Sequence, residues 1–346
     1  MKPDNRLRHF VFALGIAVAP TVASAAELAD AFLPLFQPLP AEKPAPDNEL
    51  TEEKIALGRM LYYDKRFSKN HDISCNSCHS LSDYGTDRSP NSSGHKGQRG
   101  GRSAPSVYNA ALHIAQFWDG RAPSVEEQAK GPPLNPIEMA MAGKDAVETV
   151  LKSIPGYVDA FKKAFPNEAN PVSYDNFGKA IGAFERKLMT PSRWDKYLKG
   201  DKSALTDEEK KGFETYASVG CANCHNGVAV GGMLYQKLGL VKAWPDLKDL
   251  GRYEATKKEE DKYFFKVPSL RNIGETGPYL HDGSVKDLPG MVNMMAEHQL
   301  GKTLSEDQTK SIISFLSCLK GEIPADYIKE PELPASGPDT PKPDPT

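Results

Sequence analysis

The sequence carries no strong charge of either sign. Its 346 residues hold 43 Lys and Arg against 46 Asp and Glu, a formal net charge of −3, and no segment forms a basic stripe. The electrostatic footprint of a nucleic-acid-binding protein is therefore missing. Long apolar runs are nearly absent too: Phe10 to Ala19 is the one such run, about half of the roughly 20 residues needed to span a bilayer. Alternation of apolar and polar residues is scarce, which argues against a sandwich or barrel. Cysteine is rare, five in all. What the chain does have is 39% apolar and 26% charged residues, 28 glycines and 28 prolines. Those are globular proportions with many loops, at a length that suggests two domains.

The apolar run reads as part of a leader over residues 1–25. Lys2, Arg6 and Arg8 precede it, with Asp4 atypical, and Ala23-Ser24-Ala25 fits an A-x-A cleavage site. Cleavage near Ala25, export to the periplasm and a mature chain without a membrane span are expected. Export would put the cysteines in an oxidising compartment, where disulfides are the default.

Their spacing argues otherwise. Cys75, Cys78, Cys221 and Cys224 fall in CNSCH (75–79) and CANCH (221–225). C-x-x-C-H is the c-type haem attachment motif: two thiols add to two vinyl groups, and the adjacent histidine binds iron from one face. His79 and His225 are thus the expected proximal ligands. A redox dithiol needs no following histidine, and a zinc pooling all four cysteines would span more residues than compact zinc sites do. Cys318 is left single, as a small buried hydrophobe.

The flanks repeat as well. TEEKIALGRMLYYD (51–64) and TDEEKKGFETYASVG (206–220) each open with threonine and acidic residues, suited to a helix start. Thr206 with Glu209 completes a capping box. Each also carries G-x-x-x-Y, at Gly58/Tyr62 and Gly212/Tyr216. A helical glycine costs about 1 kcal/mol against alanine, so close packing against a crossing helix is the expected compensation. NFGKAIGAFERKL (176–188) and SEDQTKSIISFLSCL (305–319) supply amphipathic partners. The fold class is all-α: two tandem c-type cytochrome domains, one haem each, with long loops. Residues 26–48 form a proline-rich extension, 49–189 the first domain, 190–325 the second, and 326–346 an extended or disordered tail.

One histidine stands apart. His95 lies in SSGHKGQRGG (92–101), where four of ten residues are glycine, so the segment resists a fixed conformation. The second axial position of a haem separates electron carriers from catalysts. For the second haem Met291, Met294 and Met295 are candidates, with His281 and His298 as competitors.

The order CNSCH, GHKGQRG, AQFWDGRA (115–122), EQAKGP (127–132), IEM (137–139), CANCH and PYLHDGSV (278–285) resembles the bacterial dihaem cytochrome c peroxidases. The likeness runs from about Leu50 to Gly321. It implies His95 as distal ligand of a first, peroxidatic haem, and Met295 as axial ligand of a second, electron-donating haem. It further implies Glu138 as the acid–base residue, Gln128 as a supporting polar group and Trp118 as a residue between the haems. A calcium ion between the domains is also implied. Thr276 and Pro278 match its carbonyl positions, and Ser103 stands where the family has asparagine. The substrate would be hydrogen peroxide, the donor a small cytochrome c or a cupredoxin, and the assembly a homodimer. His95 would cap the peroxidatic iron at rest and leave on activation.

Two other functions fit parts of the pattern. A plain dihaem electron-transfer cytochrome would keep both sixth positions filled and need no pocket carboxylate. A dihaem enzyme maturing a tryptophan-derived quinone in a partner has tyrosine at the Met295 position and no distal histidine in the loop.

Overall fold

The computed structural model describes residues 24–346, so the expected leader, apart from its last two residues, lies outside them. The described chain is helical with one small sheet. Its α-helices are α1 Ala25–Phe32, α2 Glu52–Tyr63, α3 Cys75–Cys78, α4 Val125–Ala129, α5 Lys144–Ser153, α6 Pro155–Ala164, α7 Tyr174–Glu185, α8 Arg193–Leu198, α9 Asp207–Val219, α10 Tyr253–Thr256, α11 Leu288–Leu300 and α12 Glu306–Ser317. Among the described residues none is long and apolar enough to cross a membrane.

Local chemistry sets the ends of the long helices. Thr51 caps α2 by accepting from the Lys54 amide at 3.3 Å. Thr206 caps α9 reciprocally: its hydroxyl accepts from the Glu209 amide at 3.2 Å, and its own amide donates to Glu209 Oε2 at 2.9 Å. Gly220 closes α9 in the left-handed region at φ 110°, the conformation glycine adopts without a Cβ penalty.

Two cores result. In the first, α2, α5, α6 and α7 enclose Leu57, Leu61, Phe161, Phe177, Ile181 and Phe184. In the second, α1, α8, α9 and α12 enclose Trp194, Phe213, Tyr216, Ile312 and Phe315. Glycine sets the crossing distance in both. A Cβ on Gly58 would lie 1.9 Å from the Ala180 carbonyl oxygen of α7, and one on Gly212 would lie 2.3 Å from the Ser311 carbonyl oxygen of α12.

The cores meet at Thr190. Asn109 and Asn272, each at φ 62°, both donate to the Thr190 hydroxyl at 2.9 Å. The Thr190 amide donates to Asn109 Oδ1 at 3.1 Å, and the Gly321 amide to Asn272 Oδ1 at 2.8 Å. Thr190 is fully buried, so losing it would leave polar groups unpaired inside the seam.

Three segments differ from the sequence-based expectation. The extension before residue 49 begins as α1 and packs into the second core, with Phe36 edge-on to Trp194 at 5.6 Å. The proline-rich tail is extended but docked. Ile328 joins the first core, Asp344 donates its amide to the Lys69 carbonyl at 2.9 Å, and Gly337 lies against the Ser153 carbonyl. Proline's fixed φ lowers the entropy lost when such a segment binds in extended form. Two short strands also occur, β1 Tyr235–Lys237 antiparallel to β2 Phe264–Lys266. They are three residues each and far apart in sequence, so no local alternation betrays them.

Gly58→Ala should destabilise the protein by about 1–3 kcal/mol or more, because neither backbone can yield. Gly100→Ala, with nothing within 4 Å of its Cβ position, should stay within about 0.5 kcal/mol. Denaturant unfolding of both variants checks this; equal effects would contradict the crossing argument.

Candidate haem sites

Each C-x-x-C-H histidine has a fixed tautomer. His79 Nδ1 lies 3.0 Å from the Pro105 carbonyl oxygen, and His225 Nδ1 lies 3.1 Å from that of Pro268. A carbonyl only accepts, so Nδ1 carries the proton and the Nε2 lone pair is left for a metal. Burial holds both imidazoles below the usual range, His225 at about 4, so both are neutral and able to ligate.

The repeated G-x-x-x-Y acquires a purpose here. Tyr62 donates its hydroxyl to the His79 carbonyl at 2.7 Å, and Tyr216 donates to the His225 carbonyl at 2.5 Å. The glycine lets the helix pack, and the tyrosine four residues on ties that helix to the histidine's backbone.

The cysteines sit beside these histidines. Cys75 and Cys78 lie on α3, and Cys221 begins a single 3₁₀ turn. Burial pushes the Cys78 thiol up to about 11 and Cys221 to about 12, and raises Cys75 as well. A reactive dithiol needs the opposite shift. Among the described residues no three His, Cys, Asp or Glu side chains gather as a metal site. Neutral thiols beside an imidazole with a free Nε2 fit a haem in each domain. Cys318 is buried and unpaired.

His95 is 6% exposed, although Lys96 to Gly101 are all exposed around it. Its ring nitrogens make no hydrogen bond among the described residues, whereas its amide donates to the Glu138 carbonyl at 2.7 Å. The loop glycines divide by role. A Cβ on Gly94 would lie 1.9 Å from the Ile137 carbonyl oxygen, Gly97 has φ 71°, and Gly100 and Gly101 touch nothing. The histidine therefore has a pinned entry and a loose exit.

Glu138 lies in a turn after Pro136, half-buried, rather than in the first turn of a helix. Burial raises its carboxyl above the usual range, against the pull of Arg121. Its charge is felt at Cys78, on the side of the first haem site. Arg121 stacks on Phe117 at 3.4 Å and pairs with Asp119 at 3.0 Å. Gln128 is half-buried on α4 and, although its backbone amide donates to the Ser124 carbonyl at 3.0 Å, its side-chain amide makes no hydrogen bond among the described residues.

A large cavity between the domains gathers the remaining candidates. Cys221, Cys224, His225, Met295 and Trp118 all line it. Met291, one turn before Met295, lines it too, whereas Met294 does not. His298 turns away, its Nδ1 against the Lys242 carbonyl at 3.1 Å and its ring on Trp244. Trp118 donates its indole N–H to the Ser103 carbonyl at 3.0 Å and sits 6.4 Å from the His281 ring. Ser103, Thr276 and Pro278 border the same cavity. Among the described residues the Thr276 and Pro278 carbonyls accept no hydrogen bond, as free oxygen ligands would require.

A second internal repeat went unread in the sequence. Pro105-Ser106-Val107-Tyr108-Asn109 matches Pro268-Ser269-Leu270-Arg271-Asn272, and Phe117-Trp118-Asp119-Gly120 matches Leu280-His281-Asp282-Gly283, in one register. Phe117 and Leu280 both have positive φ, 65° and 76°, and bridges Gln116↔Ala122 and Tyr279↔Val285 close both loops. The prolines hold the two C-x-x-C-H histidines, and Trp118 and His281 occupy equivalent positions that face each other. Pro-Ser-x-x-Asn at matching distance from Asp-Gly was the available signal.

Comparison with known proteins agrees with this geometry. A family model described as di-haem cytochrome c peroxidase matches residues 52–203. The chain is 44% identical to a cytochrome c551 peroxidase of Pseudomonas aeruginosa, covering 95% of this chain and 96% of that one. It is also 44% identical to one of Nitrosomonas europaea, over 88% and 90%. A solved MauG-like protein associated with microbial copper homeostasis superposes with a TM-score of 0.74 at 28% identity, over 85% of this chain and 97% of that one. Paired haem-attachment motifs, the tautomer lock common to both and likeness over nearly the whole chain lead to one conclusion: the chain belongs to the di-haem cytochrome c peroxidase family, an oxidoreductase of the cytochrome-c peroxidase class.

Proposed function

We propose that this chain is a periplasmic enzyme reducing hydrogen peroxide to water with electrons from a small cytochrome c or a cupredoxin. The observation that carries the reading is a buried histidine on an exposed loop, His95, free at both ring nitrogens among the described residues and bonded through its amide to the Glu138 turn. A plain electron carrier needs neither feature.

The residues divide the work. Cys75, Cys78 and His79 would hold the first haem, and Cys221, Cys224, His225 and Met295 the second. When bound, the haems would supply the redox chemistry and, in the first domain, the iron at which peroxide is reduced. Glu138 moves protons: its raised carboxyl takes one from the inner peroxide oxygen and returns it to the outer one, as general base and then general acid. Gln128 supports that exchange. His95 would exclude peroxide from the first haem while bound there, and would have to leave before turnover.

The far end of the His95 loop is anchored on the second domain. Arg102 makes a bidentate pair with Asp249, at 2.7 and 2.8 Å, and reaches Asp119 at 2.6 Å. The Ser103 amide donates to the His281 carbonyl at 2.7 Å. A change in charge at the Met295 site thus has a packed route to the loop through His281, Ser103 and Trp118. Calcium held by the Thr276, Pro278 and Ser103 carbonyls would stiffen that seam, with Ser103 sharing its oxygen with Trp118.

The mature protein should weigh two haems more than its polypeptide and contain no disulfide, as read by intact mass; one haem would refute the assignment. Glu138→Ala should keep both haems and lower turnover by about 10²–10⁴-fold, and near-normal turnover at saturating peroxide would remove Glu138 from the mechanism. Met295→Leu should lower the second haem's midpoint potential while Met294→Leu leaves it unchanged. The reverse pattern would place the ligand one residue away.

A further inference from the structure

Lys266 is the residue of the inter-domain cavity whose burial remains unexplained. It is 6% exposed, lines the same cavity as Cys221, Cys224 and His225, and forms no ion pair among the described residues. Its amine donates to the Ala115 carbonyl at 2.8 Å and lies 3.2 Å from His113 Nδ1. Asp119 is near enough to act on it but is already shared by Arg102 and Arg121. Burial pulls the amine down to about 7, the response of an ammonium with no counter-ion.

His113 completes the arrangement. An ammonium donating to Nδ1 leaves the proton on Nε2, and Nε2 is buried without a hydrogen-bond partner among the described residues. The ring is built in: Gly232, at φ 77°, has no room for a Cβ because His113 Cδ2 lies 2.3 Å from that position. The Ile114 amide fixes the next residue on the Gly232 carbonyl at 3.0 Å. The third Lys266 proton and the His113 Nε2 proton are thus two spare donors bordering one cavity. A buried cation with two spare donors calls for an anion.

We infer that Lys266 and His113 form a carboxylate subsite that takes a propionate of the haem attached at Cys221 and Cys224. This rests on the two-haem reading. The thioether bonds hold one edge of that haem, and its two carboxylates project from the opposite edge. The pair would fix the ring against rotation about its covalent edge. It would also offset a negative charge near the iron and so raise the midpoint potential of that second haem.

The test uses the holoprotein carrying Lys266→Met, Lys266→Arg or His113→Leu. Intact mass first confirms two haems; their absence from the wild-type protein would refute the two-haem reading rather than the subsite. Redox-difference infrared spectra and a potentiometric titration then read the second haem. Lys266→Met should shift the propionate carboxylate bands and lower the midpoint, Lys266→Arg should stay close to wild type, and His113→Leu should shift the bands alone. Unchanged bands and midpoint in Lys266→Met would overturn the inference. If that variant does not fold, unchanged bands in His113→Leu do the same. Titrating wild type with sodium acetate separates a soluble carboxylate from the propionate: a midpoint that moves with acetate would overturn the propionate assignment.

Discussion

Both halves of the molecule depend on one hydrogen bond, from the Nδ1–H of a C-x-x-C-H histidine to a prolyl carbonyl. It selects the tautomer that leaves Nε2 free, orients the ring and strengthens it as a donor to iron. Much of the surrounding structure holds its two ends. On the histidine side, Tyr62 and Tyr216 tie the ligand's backbone to α2 and α9, whose glycines seat them against α7 and α12. On the proline side, Ser106 donates to the Tyr84 carbonyl at 2.7 Å and Ser269 to that of Ala229 at 2.8 Å. Asn109 and Asn272 then carry both strings to Thr190. The two haem sites share a seam three residues wide, so a shift in one ligand loop is felt by the other.

In the proposed function the two domains differ in the side chain offered opposite each fixed imidazole. In the second domain Met291 and Met295 share one face of α11, and Met295 lines the cavity beside His225. In the first domain the proposed counterpart is His95, on a loop. Ordering a residue costs about 1–2 kcal/mol, and Lys96 to Gly101 gain little burial in return. The pinned end, where Gly94 meets Ile137, would keep His95 near Glu138 in the proposed release. The anchored end, at Arg102 and Ser103, reports on the second domain. The proposed release of His95 needs a closed and an open state within a few kcal/mol of each other, a gap that one electron on a neighbouring haem would tip.

Elements whose chemistry is local could be read from the sequence. The haem motifs, the Thr206/Glu209 box and the packing role of Gly58 and Gly212 all depend on residues a few positions apart, and the helices form where those signals lie. What escaped depends on distant partners. β1 and β2 are too short to show a period; the docked tail is set by backbone contacts with Lys69 and Ser153 that its composition does not announce. Glu138 on its proline-led turn and Gly94 against Ile137 are packing facts between segments. The Pro-Ser-x-x-Asn repeat was legible in principle, because its two copies keep the same distance to Asp-Gly, but its meaning needed the histidines in view.

The central claim, a peroxidatic iron closed by a removable histidine, is tested most directly by electron paramagnetic resonance at two oxidation levels. In the fully oxidised protein the first haem should be low-spin and turnover slow. One electron per molecule, placed on the Met295 haem, should convert the first haem to high-spin and make turnover fast, and His95→Gly should be high-spin without reduction. An oxidised wild-type protein that is already high-spin and fast would contradict the account.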